Sequence, residues 1–436
     1  MLRSKHKLGL VFFPAFDWAI DTTHPEREER LLYTQDQLFE EGISDIEGIS
    51  FFNPDMADDR DIQRVHFCVP DVNSRVTKSH MISAGGAIRA LKAICDNEVD
   101  RAFALVRPPG HHAHQVVFGD RGFCIINIEA VMLEKIRREY GDIKVAIVDT
   151  DCHHGDGTQD IYWNDKNTLF ISLHQDGRTL YPGTGFIDEF GGPSAVGYNI
   201  NIPLPPQTGD EGFLYVIDNL VLPIIREYNP DIIVNSAGQD NHYSDPITNM
   251  NFTAQGYAEL NHRLAPDIAV LEGGYSIEGA LPYVNLGIIL AMAGMDYSAV
   301  REPDIDQAKV KQPYKVTEYI KKLCQKLYEN WEKRDLIRKN TISGKNIITR
   351  PRQIYYDTDG ILEEQVKQFK VCPKCSGLVT IKSKSDWGVE IYAVAIPRDA
   401  CNFCIDEGYK LYNDTPPGKY YRTYIQDRVN DYYMSK

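Results

Sequence analysis

In "AIVDTDCHHGDGTQ" (Ala146–Gln159) a β-forming apolar run breaks off into a crowd of acids and imidazoles. Val145–Val148 is the run; Asp149, Asp151, His153, His154 and Asp156 follow at once. Residues two apart on a strand share a face, so Asp149, Asp151 and His153 point one way if the strand persists to its end. Such groups resist burial together unless something neutralises them, and a divalent cation does so. Asp and His are zinc ligands, and a catalytic zinc usually keeps three protein ligands and one open position. Asp151 and His153 are therefore ligand candidates, and a third has to come from elsewhere. The plainer alternative is a solvated strand end in which Asp and His serve as turn residues.

Outward from this stretch the same punctuation repeats. Short runs rich in Val, Ile, Leu and Phe occur at 8–13, 102–106, 144–149, 168–173, 231–236 and 267–272, with helix-like stretches at 81–94 and 127–140 between them. Continuous apolar strands alternating with helices predict an α/β fold with a parallel sheet covered on both faces. Ligands of such sheets gather at the carboxyl ends of the strands. Three further strands end in clusters there. "RPPGHHAH" (107–114) holds His111 and His112 on a rigid Pro-Pro-Gly turn. Tandem imidazoles with separate carboxylate partners are able to hold different protonation states. "NSAGQDNHYSDP" (235–246) offers Asp240 as a candidate for the missing ligand. In "LEGGYSIEGA" (271–280), Gly273 and Gly274 permit a tight bend that brings Tyr275 to the site, where its hydroxyl is able to donate to an oxyanion.

The bulk properties are those of an ordinary globular chain: 436 residues, 43% hydrophobic and 25% charged, with a net charge of −15. This length suggests one large domain with an appendage. The acidic balance argues against a nucleic-acid footprint, which needs a basic face. No apolar run is long enough for a membrane span. The N-terminus resembles a signal peptide, but Asp17 interrupts it and no small-residue cleavage site follows, so Leu8–Phe13 reads as a first strand. Nine cysteines, four of them in two C-x-x-C pairs, favour a reducing cytoplasm over a disulfide framework.

Taken together, "HPEREERL" (24–31), "AGGAIRA" (84–90), "RPPGHHA", "GFCIINIEA" (122–130), "DTDCHHGDGTQ", "SLHQDGRTLYPGTG" (172–185), "SAGQDNHYSDP" and "LEGGY" resemble the histone deacetylase superfamily, in that family's order and over residues 8–300. That superfamily includes bacterial acetoin-utilisation and acetylpolyamine amidohydrolase relatives, and "LEGGY" looks more like its class II branch than its class I branch. The resemblance implies an arginase-like α/β fold and a zinc-dependent amidohydrolase. It assigns the catalytic zinc to Asp151, His153 and Asp240. His111 and His112 become the tandem histidines, with His112 the proton shuttle; Asp149 and Asp156 hydrogen-bond His111 and His112 respectively. Tyr275 polarises the amide carbonyl. Gly122, Phe123, Tyr181 and Ile247 line the acyl channel. Asp149, Asp151, His153, Ser172 and Leu173 match the family's structural monovalent-cation site, usually potassium. Departures are Gln239 before the metal Asp, Tyr181 in place of Phe, and apolar Ile247 where one polyamine-specific branch carries Glu. The last favours acyl-lysine over acetylpolyamine.

The resemblance implies a catalytic domain over 1–312. Residues 313–362 read as a helical connector and linker: 315–340 is an amphipathic helix with Val316, Tyr319, Ile320, Leu323, Leu327 and Trp331 on one face, and 341–362 is irregular. Residues 363–436 read as a zinc-ribbon-like module. Its two knuckles, Cys372/Cys375 and Cys401/Cys404, lie 25 residues apart around a hairpin at 378–396. That spacing signals a closed, structural four-cysteine zinc site, against two disulfides or idle cysteines. A protein partner suits this module better than nucleic acid. Three functions stand side by side: hydrolysis of acyl-lysine in a protein, hydrolysis of a small acetylated amine, and acyl-lysine binding with little turnover. An arginase-like dimanganese hydrolase fits the tandem His and Tyr less well.

Overall fold

The computed structural model describes residues 2–21, 23–303, 305–306, 308 and 310–436. Eight parallel strands make the main sheet: β1 (Arg3–Phe13), β2 (Glu47–Phe52), β3 (Arg101–Val106), β4 (Val145–Asp149), β5 (Thr168–Gln175), β6 (Asn199–Leu204), β7 (Ile232–Ala237) and β8 (Ile268–Leu271). Their spatial order is β2-β1-β3-β8-β7-β4-β5-β6. The six apolar runs of the sequence are β1, β3, β4, β5, β7 and β8. The two strands it did not announce, β2 and β6, are the sheet's edges.

Alternate residues of each central strand feed two separate cores. Phe103, Leu105, Ala146 and Val148 enter one; Ala102, Ala104, Val145 and Ile147 enter the other. The first core is covered by the helices Ala254–Leu264, Leu281–Ala293 and Tyr314–Glu332, the second by Lys78–Cys95 and Ile128–Tyr140. Burial on both faces is why these strands read as unbroken apolar runs.

The helix read over 315–340 is two helices, Tyr314–Glu332 and Arg334–Ile342, joined at Lys333. Val316, Ile320, Leu323, Leu327 and Trp331 of the first are buried in the main core, while Tyr319 stays exposed at the rim of that face. The second buries nothing. The first of these helices packs as part of the α/β unit rather than as a connector.

Residues 341–362 are not irregular. A second sheet begins inside them, with β9 (Ile347–Tyr356), β10 (Ile361–Lys370), β11 (Val379–Ser385), β12 (Glu390–Ile396), β13 (Arg422–Asp427) and β14 (Tyr432–Ser435) in chain order. All neighbours are antiparallel except β12 and β13, which are joined through the helix Asn402–Asp414. The boundary placed at residue 363 therefore falls within β10. The physical reason lies in composition. β9 and β10 alternate, but their inward side chains include Arg350, Arg352, Glu363, Gln365 and Lys367, so no apolar period shows. Pro351 interrupts β9 and is tolerated because β9 is an edge strand. The hairpin expected at 378–396 is β11–β12, set in a sheet larger than a ribbon. Ile354, Ile361, Ile381 and Ala393 of this sheet share a core with Phe67, Val69, Val116 and Phe118, so it is packed against the α/β unit.

Candidate active site

The four clusters of the sequence follow β3, β8, β7 and β4, which are adjacent in the centre of the main sheet. Their polar ends therefore meet at one carboxyl edge. Asp151, His153 and Asp240 are all buried, with one ligand atom from each inside a 4.8 Å circle. His153 Nδ1 lies 2.8 Å from Asp240 Oδ2 and 3.2 Å from Asp151 Oδ1. Burial disfavours a charged imidazole here, but Asp240 and Asp151 outweigh it and push His153 up to about 10. A divalent cation satisfies the same oxygen and nitrogen lone pairs with an ordinary neutral imidazole. Backbone amides brace both carboxylates: Gly273 N–H donates to Asp151 Oδ2 at 2.7 Å and Cys152 N–H to Asp240 Oδ1 at 2.7 Å. Gly273 has to be glycine, since a Cβ there would stand 2.4 Å from Asp240 Oδ2 and 2.6 Å from Asp151 Oδ2.

Beside this group, His111 Nδ1 pairs with Asp149 Oδ2 at 3.1 Å and His112 Nδ1 with Asp156 Oδ1 at 2.8 Å. The two imidazoles are driven apart in charge. Burial opposes protonation of both. For His111 the carboxylates of Asp151 and Asp149 prevail and raise it well above the usual range. A cation at Asp151 would drain part of that pull, and the Asp149 contact would remain. For His112, burial and the neighbouring His111 charge prevail over Asp156 and lower it to about 3. Burial thus favours a neutral His112 with its Nε2 free of Asp156, while the carboxylates beside His111 favour its charged form.

A cavity of about 230 Å³ opens from these residues to the surface. Tyr275, Phe123, Gly122, Tyr181, Leu180 and Ile247 form its walls. Phe123 stands edge-on to Tyr275 with ring centroids 5.4 Å apart, and Tyr181 edge-on to His112 at 5.3 Å. Burial raises the Tyr275 phenol well above its ordinary value, so it stays a donor. Gly122 has φ +53°, and a Cβ on it would lie 2.4 Å from His112 Cδ2.

Several residues of the site gave no chemical signal in the sequence. Glu272 accepts from the Gly110 and His111 amides at 2.7 and 3.0 Å and so fixes the tandem-histidine turn. Arg30, buried and ion-paired with Glu26 at 2.8 Å, donates to the Gly274 carbonyl at 2.8 Å behind Tyr275. Arg121 holds Asp156 at 2.5 Å; with His114 it keeps that carboxyl well below the usual range in spite of burial. The motif "HPEREERL" contains Glu26 and Arg30, but their partners lie more than two hundred residues away in the case of Gly274. Gln239 turns away from the cavity to donate to Asn285. Ser172 lies beside Asp149 in the β4–β5 register, with Leu173 next along β5.

The second sheet also reaches this site. Asp357, in the β9–β10 turn, lines the cavity, accepts from Gly122 N–H at 2.9 Å and accepts from the Tyr181 hydroxyl at 2.9 Å. At its other end lie Cys372, Cys375, Cys401 and Cys404, whose sulfurs cluster within 4.8 Å. Cys401 Sγ is 3.9 Å from Cys372 Sγ and 3.6 Å from Cys375 Sγ. Zinc–thiolate bonds of ~2.3 Å in a tetrahedron place sulfurs ~3.8 Å apart, whereas a disulfide needs ~2.05 Å. The four thiols fit a closed metal site and not two disulfides.

Residues 69–285 match the histone deacetylase domain family. A probable deacetylase of Archaeoglobus fulgidus is 47% identical over 309 residues, covering 65% of this chain and 85% of that protein. The chain belongs to the histone deacetylase family. An acetylpolyamine amidohydrolase of Burkholderia pseudomallei is 37% identical over 201 residues, or 45% of this chain and 57% of the relative. Among solved structures, the HDA15 HD domain aligns with a TM-score of 0.65 at 26% identity, over 78% of this chain and 99% of the other. The eight-stranded sheet is thus the deacetylase fold, and this chain is an amidohydrolase of that family.

Proposed function

We propose that the protein is a zinc-dependent deacetylase that hydrolyses the side-chain amide of acyl-lysine in proteins. The observation that supports this best is geometric: the tandem histidines, His111 on Asp149 and His112 on Asp156, stand beside Asp151, His153, Asp240 and the Tyr275 phenol in one cavity. Zinc held by Asp151, His153 and Asp240 supplies Lewis acidity toward the amide carbonyl and toward water. His112 takes the proton of the attacking water at Nε2 while Asp156 holds its Nδ1. The water oxygen adds to the carbonyl carbon, and the Tyr275 hydroxyl donates to the oxygen that gains charge. The proton held by His112 passes to the nitrogen as the carbon–nitrogen bond breaks, leaving acetate and a free amine. His111, fixed by Asp149, stabilises the negative charge that develops nearby. A potassium ion at Asp149, Asp151, His153, Ser172 and Leu173 and a structural zinc on the four cysteines belong to the same reading.

Apolar Ile247 in the channel wall favours acyl-lysine. A small acetylated amine is the second reading, favoured by the likeness to an acetylpolyamine amidohydrolase. Acetate release from an acetyl-lysine peptide by zinc-loaded protein tests the proposal, with Tyr275→Phe as the matched control. Loss of the donor should lower kcat by about 100- to 1,000-fold. No acetate from peptides or from acetylpolyamines would overturn it.

A further inference from the structure

The channel wall is not made by the α/β unit alone. The β9–β10 turn of the second sheet lies against residues 120–122, and each of the three is held. Asp120 N–H donates to Asp359 Oδ2 at 2.7 Å, Arg121 donates to the Tyr355 carbonyl, and Gly122 N–H donates to Asp357 Oδ1 at 2.9 Å. The Tyr181 hydroxyl, whose ring lies next to Gly122, donates to the same Oδ1 at 2.9 Å. Asp357 therefore ties together two neighbouring pieces of the wall beside His112, and it does so with one oxygen. Its second oxygen, Oδ2, has no hydrogen-bond partner among the described residues, and the residue is exposed at the mouth while the histidines are buried at the floor.

The charge around this oxygen is one-sided. Among the described residues, no lysine or arginine lines the cavity. Arg121 is close, but it is buried and committed to Asp156. Asp120 and Asp359 stand beside Asp357, and the three acids crowd one another: burial, with Asp357 and Asp359 adding to it, pushes the Asp120 carboxyl up to about 7. The rest of the wall near the mouth is apolar or aromatic, from Pro109, Leu180 and Ile247. His24, packed on Phe123, is the other titratable group near Asp357, and burial lowers it from its ordinary value, so an amide that enters with a second positive charge behind it meets a carboxylate oxygen that no lysine or arginine among the described residues pairs with.

We propose that Asp357 is a specificity-determining residue, by which the second sheet selects acylated amines that carry a further cation, an ammonium or guanidinium, behind the acylated nitrogen. The inference rests on the deacetylase reading for the position of the amide. Both an acylated diamine and an acyl-lysine flanked by a basic residue present this chemistry. Tyr181 has a part in it: its hydroxyl, absent from a phenylalanine, holds the Asp357 carboxylate at the mouth.

The test compares pairs of substrates that differ only in the second charge, with zinc-loaded full-length protein and its Asp357→Asn variant. One pair is N-acetyl-1,5-diaminopentane and N-acetylpentylamine. The other is an acetyl-lysine peptide with a neighbouring arginine and the same peptide with citrulline. Asparagine keeps an acceptor for Gly122 and Tyr181 and removes the charge. The cationic-to-neutral ratio of kcat/KM should fall about fivefold in the variant for at least one pair, and less so at high salt, as for an exposed charge contact. The pair that responds identifies the source of the cation. A ratio equal in both proteins for both pairs overturns the inference, even if the variant is slower throughout. Calorimetric binding of the same pairs to the two proteins in a Tyr275→Phe background gives the ratio without turnover. Absence of turnover would thus count against the deacetylase reading alone, and an unchanged binding ratio against the role of Asp357.

Discussion

Lys367 Nζ of β10 lies 2.9 Å from Asp160 of the α/β unit, with both side chains buried. Arg352 of β9 meets the same carboxylate at 2.5 Å. Burial is the largest influence on each partner, yet with opposite outcomes. It carries Lys367 down to about 8 despite Asp160, while Arg352 and Lys367 together keep Asp160 well below the usual carboxylate range despite it. Asp160 serves two cations, and so the anion is the member the fold cannot lose. Asp160→Asn should cost about 3–5 kcal/mol, as removal of one side of a buried ion pair does. Lys367→Met leaves Asp160 with Arg352 and should cost clearly less. Thermal unfolding of the two variants checks this, and equal losses would refute it.

His80 gives a pH-dependent prediction that can be isolated. It is fully buried, its Nδ1 meets Thr77 Oγ1 at 2.7 Å, and its Nε2 has no partner among the described residues. Burial alone lowers it to about 3. Between pH 3 and 6.5 the unfolded chain binds a proton at this position that the folded chain refuses, so His80 lowers stability progressively as pH falls below 6.5. Other groups titrate oppositely in this range, Asp120 and Glu272 among them, so the comparison has to be with a variant. His80→Leu should gain about 2 kcal/mol relative to wild type on going from pH 7 to pH 5. Denaturant unfolding at the two pH values measures it. A difference independent of pH would show that His80 takes up its proton equally in the folded and unfolded chain, so that burial does not depress it.

Legibility of the sequence followed how many faces an element buries. The central strands announced themselves because both faces are apolar, and their polar ends carried Asp151, His153, Asp240, the tandem histidines and Tyr275 into view. The edges β2 and β6 did not: β2 is half exposed, and β6 interleaves Asn199 and Asn201, which are buried through hydrogen bonds to Gln159. β9 and β10 were hidden for a stronger reason, since their buried face is ionic and meets Asp160. Asp357 was beyond reach altogether. Nothing local distinguishes an Asp in "YDTDG" from any turn residue; its meaning comes from Gly122 and Tyr181, which are distant in the chain.

The four-cysteine site yields a prediction about metal count. Protein purified with zinc should hold two equivalents, and Cys401→Ser should reduce this to one by elemental analysis. Structural zinc contributes directly to folding. The same variant should therefore unfold at a lower temperature, by roughly 5 °C or more. Retention of two equivalents in Cys401→Ser would remove the cysteines from the metal inventory.

Gly122→Ala separates the geometry of the base from the stability of the fold. The added Cβ would stand 2.4 Å from His112 Cδ2, and the backbone at φ +53° also disfavours a side chain. Asp156 holds the His112 ring at Nδ1 and opposes its retreat, so relief has to come from a shift of the imidazole or of the 120–122 segment. Either displaces Nε2 from the water that it deprotonates in the proposed mechanism. A misplacement of ~1 Å is enough to cost about 100-fold in rate, whereas the strain of one left-handed alanine costs only about 1–2 kcal/mol of stability. Measured kcat should collapse while the thermal midpoint falls by a few degrees. Wild-type kcat in this variant would show that His112 does not need its present position, and with it would go the assignment of His112 as the base.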